Sequence, residues 1–312
     1  MSELLEKIDK NIRHYGAAAQ RAARELRWAI GPVPVREPVF VVGCSRGGTT
    51  VVYKTLSEAD ELGSLQRETH DFWAELHPLV EKGWRSHALG AEDASPRDRD
   101  LVARYFFRHL GARRFVDKNN QNGLCVPYLR ALFPDARFVY VKRSPGDNIH
   151  SLIEGWGRAD EFAHWSETLP AEVRIDGGRY RRWCFFLFDG WRDHLDRPIE
   201  DVCAAQYLAM NEAILDARAA IPPAQWTEIV YEDLVRDPVA AFGAVWAALG
   251  LHFGPRQQAH CANVLGRPYN AFSPIRLDKW KEQGNRARIE RVLPLVETVA
   301  RRMGYSPVDG AA

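Results

Sequence analysis

The stretch Val39-Phe40-Val41-Val42-Gly43-Cys44-Ser45-Arg46-Gly47-Gly48-Thr49-Thr50, followed by VVYKTLSEA, decides the fold class. VFVVG is a continuous β-branched and aromatic run of the kind buried on both faces of a parallel sheet. A glycine-rich turn and a helical pattern follow it directly. Gly43 to Thr50 has the spacing of a phosphate loop, GxxxxG plus two residues, with Thr49 where a lysine would stand in a nucleoside-triphosphate loop. Glycines let backbone N–H groups close around an anion, the helix N-terminus adds its positive dipole, and the Thr49 and Thr50 hydroxyls add donors. Arg46 would supply the positive charge.

Outward from this unit the alternation repeats. RRFVD (113–117) precedes a helical stretch ending in LRALF (129–133). RFVYVK (137–142) leads into a helix opened by Ser144 as N-cap and Pro145 at N1. WTEIVY (226–231) reads as another strand, and Asp237-Pro238 starts a further helix. LGSLQ (62–66) reads as a second strand. Strand–helix alternation predicts an α/β fold: a parallel sheet flanked by helices on both faces. Between about 155 and 222 strand signals stop. RYRRWCFFLFDGW and IEDVCAAQYLAMNEAILDARAA read as long helices of an insertion beside the sheet. Its Trp156, Trp165, Trp183, Phe185, Phe186, Phe188 and Trp191 read first as core, and alternatively as an acceptor pocket.

At the N-terminus, Leu4, Leu5, Ile8, Ile12 and Tyr15 recur at helical spacing, predicting an amphipathic helix before the linker GPVPVREP (31–38). Residues 1–36 carry 7 Lys/Arg against 4 Asp/Glu. So small a surplus favours a helix lying on its own domain or on the mate in a homodimer over a membrane-surface role. The expected organisation is a helix and linker over 1–36, one domain over 37–304 and a flexible tail over 305–312.

The chain has 312 residues, 42 Lys+Arg against 41 Asp+Glu, and 46% hydrophobic residues. That is globular composition, and a net charge of +1 argues against a nucleic acid as main partner. No run approaches the about 18 apolar residues of a membrane span. The five cysteines, never spaced as CxxC, read as buried thiols. With no secretory signal pattern, the cytoplasm is the expected compartment.

The loop, read as Arg46-Gly47-Gly48-Thr49-Thr50, resembles the first motif of the sulfotransferases that use 3′-phosphoadenosine 5′-phosphosulfate (PAPS), an Arg-Ser-Gly-Thr-Thr loop after a hydrophobic strand. Gly47 replaces the serine. A second match lies after the strand FVYVK, where Arg143 and Ser151 keep the family's spacing of Arg to Ser. The resemblance implies a P-loop-like sulfotransferase fold, with the 5′-phosphosulfate on Arg46, Gly47, Gly48, Thr49 and Thr50 and the 3′-phosphate on Arg143 and Ser151. Weaker matches are Asp117-Lys118, with Asn119-Asn120 in place of Thr-Pro, the element Tyr231-Glu232-Asp233-Leu234, taken as structural, and Lys279-Trp280-Lys281.

Sulfuryl transfer needs cations for the departing oxygens, for which Arg46 and Lys118 are the candidates, and a base for the acceptor; it has no intrinsic need for a metal. Arg67-Glu68-Thr69-His70 supplies two candidate bases. Glu68 is favoured because its place relative to Arg46, and the Thr69 after it, resemble tyrosylprotein-type sulfotransferases; His70 is the rival because imidazole titrates near neutrality. The implied reaction moves the sulfuryl group from PAPS to a hydroxyl or amine of a small-molecule, lipid or carbohydrate acceptor, releasing PAP. A P-loop small-molecule kinase, with Asp117 as the nearest Walker-B candidate, and a non-catalytic nucleotide-binding protein are the competing readings.

Overall fold

Phe40 and Val42 of the first strand face one side of a sheet, and Val39 and Val41 face the other; all four are buried. The computed structural model describes residues 2–306 apart from 112, 267, 268, 270–273 and 283, and for 2–15 the backbone alone. Its elements are α1 (Ser2–Ile30), β1 (Val39–Val42), α2 (Thr49–Leu56), α3 (His70–Leu76), α4 (Pro96–Leu110), β2 (Val116–Lys118), α5 (Val126–Leu132), β3 (Arg137–Lys142), α6 (Pro145–Trp156), α7 (Ala159–Phe162), α8 (Ile199–Arg218), β4 (Trp226–Val230), α9 (Tyr231–Arg236), α10 (Pro238–Leu249), α11 (Pro255–Ala262), α12 (Lys279–Glu282) and α13 (Arg286–Arg302).

The four strands form one sheet in the order β2-β1-β3-β4, every pair parallel. Val39 pairs with both Val116 and Arg137, and Val42 with Tyr140. Phe40, Val42, Phe138 and Tyr140 pack against α4, α5, α6, α8 and α13. Val39, Val41, Val139 and Val141 pack against α2 and α10. Apolar side chains on both faces explain why these strands read as unbroken hydrophobic runs. The expected fold stands, with helices on both sides. Pro145 is at N1 of α6, and the Asp237 side chain caps α10 by accepting the Ala240 N–H at 3.0 Å.

Two expected elements differ. LGSLQ (62–66) is not a strand: among its residues only Gly63 makes a bridge, to Phe115, so the segment is an irregular edge beside β2. The insertion is α-helical only at its start, through the end of α6 and the short α7, and again in α8. Residues 163–198 contain two short 3-10 turns and a single bridge between Ile175 and Tyr180. Trp183, Cys184, Phe185, Phe186 and Leu187 are all buried in succession, which a surface helix with one apolar face could not achieve. Side chains take over the hydrogen bonds that a helix would have made. Gln206 Nε2 donates to the Cys184 carbonyl at 2.9 Å, Asn120 Nδ2 to Phe185 O at 3.1 Å, and the Leu187 N–H to His87 Nδ1 at 2.8 Å.

α1 lies against α4, with Trp28 beside Phe107 and Glu25 taking the Arg104 guanidinium at 2.7 Å. The side chains of Leu4, Leu5, Ile8, Ile12 and Tyr15 lie outside the described residues, as does the tail over 307–312. No helix among the described residues is long and apolar enough to cross a membrane. All five cysteines are buried free thiols.

Candidate active site

Parallel strands deliver their following loops to one edge of the sheet, and there the glycine loop after β1, the end of β2 and the loop after β3 surround a single large cavity. Its volume is about 1330 Å³. Arg46, Gly48, Thr49, Thr50, Glu68, His70, Lys118, Arg143 and Ser151 all line it. Of the expected site residues only Gly47 does not. Its N–H is spent inside the loop, donating to the Cys44 carbonyl at 2.9 Å.

The loop's conformation is dictated by close approach. Gly48 has φ 97°, a left-handed conformation, and a Cβ there would sit 2.4 Å from the Tyr231 ring. A Cβ on Gly47 would meet Cys44 O at 2.8 Å, so the serine of the resembled motif does not fit this loop as it stands. Helix geometry then leaves the first amides of α2 without an intrahelical acceptor at the cavity's edge. Arg143 Nη1 donates to the Arg46 carbonyl at 2.7 Å, tying β3 to the loop, and its guanidinium lies 4.4 Å from the Tyr231 ring centroid. Arg46 itself takes a positive φ of 63° and stands over Phe162 at 5.4 Å. Burial, then the charge of Arg143, pushes the Arg46 guanidinium down to about 10, still a cation at neutral pH.

Beside the loop, Glu68, His70, Lys118 and Thr50 form one network. Glu68 Oε1 accepts from Lys118 Nζ at 2.7 Å and from Thr50 Oγ1 at 3.0 Å, while Oε2 stands 2.5 Å from His70 Nε2. Burial alone would raise the Glu68 carboxyl, but the Lys118 charge and the His70 and Lys118 hydrogen bonds win and hold it well below the usual carboxylate range. Thr69, between the two, is fixed to Asp117, which also accepts from Trp73 Nε1 at 3.0 Å. Asp117 is thus buried beneath the site as a strut, and it does not line the cavity. The two candidate bases are therefore one hydrogen-bonded pair.

The lining includes an apolar arm of Leu79, Val80, Trp84, Leu89 and Trp165, while Phe185 lies by the loop, beside the Phe162 ring that Arg46 covers. Of the seven insertion aromatics singled out in the sequence, Trp165 and Phe185 reach the cavity and the other five are core, as the packing reading expected; Phe162, also in the insertion, lines the cavity too. His87 also faces this arm. Because its Nδ1 accepts the Leu187 N–H, Nε2 carries the hydrogen, and burial pushes the imidazole down to about 3, so it is a neutral donor. Among the described residues no group of three or more His, Cys, Asp or Glu could hold a metal ion.

Sequence reasoning missed three residues. Tyr231 was treated as structural, yet it walls the loop at Gly48 and stacks on Arg143. Asn119 looked only like a departure from a motif, yet its Oδ1 lies 2.9 Å from His70 Nδ1. His87 carried no signal at all, because a lone histidine in a loop has no readable partner.

A family model described as "Sulfotransferase family" matches residues 38–255. The chain belongs to the sulfotransferase family. It is 23% identical over 194 residues to the omega-hydroxy-beta-dihydromenaquinone-9 sulfotransferase Stf3 of Mycobacterium bovis and to that of Mycobacterium tuberculosis, an alignment covering 59% of this chain. It spans only 43% of the length of those relatives. Among solved structures, the sulfotransferase domain of the Synechococcus PCC 7002 olefin synthase matches with a TM-score of 0.52 at 18% identity, over 88% of this chain and 98% of that one. Sulfotransferase STF9 of Mycobacterium avium matches with 0.51 at 14% identity, over 85% and 77%. Those two share the sulfotransferase fold with this chain.

Proposed function

We propose that the chain transfers a sulfuryl group from PAPS to the hydroxyl of an acceptor with an apolar body. The observation that carries this reading is the convergence on one cavity of residues from four separate segments: the glycine loop, Glu68 with His70, Lys118, and Arg143 with Ser151. The donor's chemistry fits what is there. Arg143 Nε and Ser45 Oγ are buried without a partner among the described residues, and α2 presents its first amides beside them. These are hydrogen-bond donors and a cation, a set suited to phosphate and sulfate oxygens. Arg143 and Ser151 are assigned to the 3′-phosphate, and Arg46, Gly48, Thr49 and Thr50 to the 5′-phosphosulfate; Gly47 shapes that loop without lending its amide.

In the reaction the acceptor oxygen bonds to sulfur as its proton passes to Glu68, and the sulfur–oxygen bond to phosphate breaks with its electron pair leaving on PAP. Lys118 can pair with Glu68 or with the departing phosphate oxygen. Moving toward the latter stabilises the developing charge and removes the cation that most depresses Glu68, making the carboxylate a better base at that moment. The apolar arm, with the neutral His87 donor, suits an alcohol carried on a lipid or other hydrophobic body that includes an oxygen acceptor. The kinase alternative loses its Walker-B candidate, since Asp117 is committed to Thr69, Trp73 and Asn122. Incubating the protein with sulfur-labelled PAPS and a panel of hydrophobic alcohols, sugars and amines tests the reading. Label should move to hydrophobic alcohols; transfer confined to sugars or amines would contradict the acceptor assignment.

A further inference from the structure

Asn119 follows Lys118 at the end of β2 and is buried. Its Oδ1 accepts the backbone N–H of Gln121 at 3.0 Å and also lies 2.9 Å from His70 Nδ1. A backbone N–H can only donate, so the Asn119 atom that faces it has to be the oxygen, and the amide cannot be turned over. His70 Nδ1 therefore meets an acceptor and has to carry hydrogen. On the other side of the ring, Nε2 stands 2.5 Å from Glu68 Oε2. A bare nitrogen lone pair against a carboxylate oxygen at that distance would be repulsive, so a proton lies between them as well. Keeping this arrangement has a cost: Asn119 Nδ2 is buried without a partner among the described residues. A buried amide donor left unsatisfied is unfavourable, and such groups in a native fold call for a reason.

We propose that Asn119 is the positioning residue of the catalytic pair: it accepts from Nδ1–H of His70 while Nε2–H of the same ring donates to Glu68, so that neither ring nitrogen is left bare to act as a rival base. The proposal rests on the sulfotransferase reading for its chemical meaning. During transfer the acceptor's proton goes to Glu68, while the proton between His70 and Glu68 stays where it is and keeps the carboxylate aimed. Asn119 touches neither substrate in this scheme; it acts through the imidazole.

Nitrogen-15 NMR of histidine-labelled protein reads this directly, with His70→Gln identifying the signals. In the wild type both His70 nitrogens should resonate as protonated, and the proton shared with Glu68 should lie far downfield. Asn119→Leu should move Nδ1 to the unprotonated range while Nε2 stays protonated, and should lower kcat without changing PAP affinity. Asn119→Asp, which still offers an oxygen to Nδ1, should keep the wild-type pattern, so a misfolded leucine variant does not remove the test. An unprotonated Nδ1 in the wild type, or a pattern unmoved by Asn119→Leu in folded protein, would overturn the proposal. PAP binding, measured separately by titration, tests the reading underneath, and the NMR pattern does not depend on it.

Discussion

Glu68 has both carboxylate oxygens engaged before any ligand arrives: Lys118 and Thr50 on one, His70 on the other. That arrangement lets the two candidate bases be told apart. Glu68→Gln keeps a carbonyl oxygen for Lys118 and Thr50 and leaves the proposed 3′-phosphate residues Arg143 and Ser151 unaltered, so PAP affinity should be nearly unchanged while turnover falls by roughly 10²–10⁴, the range of general-base catalysis. His70→Ala removes an orienting donor and should cost less. The pH dependence points the same way. A carboxyl held low stays ionised well below neutrality, so the acid limb of the rate should be flat from pH 7 to about 5, whereas control by a free imidazole would bring the rate down through about pH 6.5. A kinetic profile of wild type and both variants checks this, and collapse in His70→Ala with near-normal Glu68→Gln would reverse the roles.

At the scale of elements, the β1–loop–α2 unit and the β3–α6 unit were legible because their signals are local. A buried strand is an apolar run, and a loop needing close backbone approach has to use glycine. The pairing of Glu68 with His70 was not legible, because two residues apart they looked like competitors and only the irregular turn before α3 brings their side chains together. Residues 183–187 defeated periodicity for a physical reason: every side chain is buried, so no face is left to alternate. LGSLQ carried strand composition but sits at the sheet's edge, where one bridge is all the pairing it has. The Gly47 departure was visible, and its cause was not. Since a Cβ there would press on the Cys44 carbonyl, Gly47→Ser should lower the melting temperature and weaken PAP binding, even though it restores the serine of the resembled motif. A thermal melt with and without PAP reads both; tighter binding in Gly47→Ser would show that the serine hydroxyl matters more than the contact.

For the whole molecule, the parallel sheet carries loops from β1, β2 and β3 to one edge, while two separate cores fix the strands from either side. The proposed anion site therefore draws on segments about a hundred residues apart, and a ligand bridging them should stabilise the whole fold. The insertion adds Phe162, Trp165 and Phe185 to the wall of the same cavity. In the proposed reading this space holds an adenosine bisphosphate through arginine, hydroxyls and backbone amides. Isothermal titration of PAP into the protein in the presence of EDTA tests it most directly. Saturable one-to-one binding is the predicted result, lost or sharply weakened in Arg143→Ala and kept in Glu68→Gln. No binding of PAP without a metal, together with binding of ATP only when Mg²⁺ is present, would contradict it.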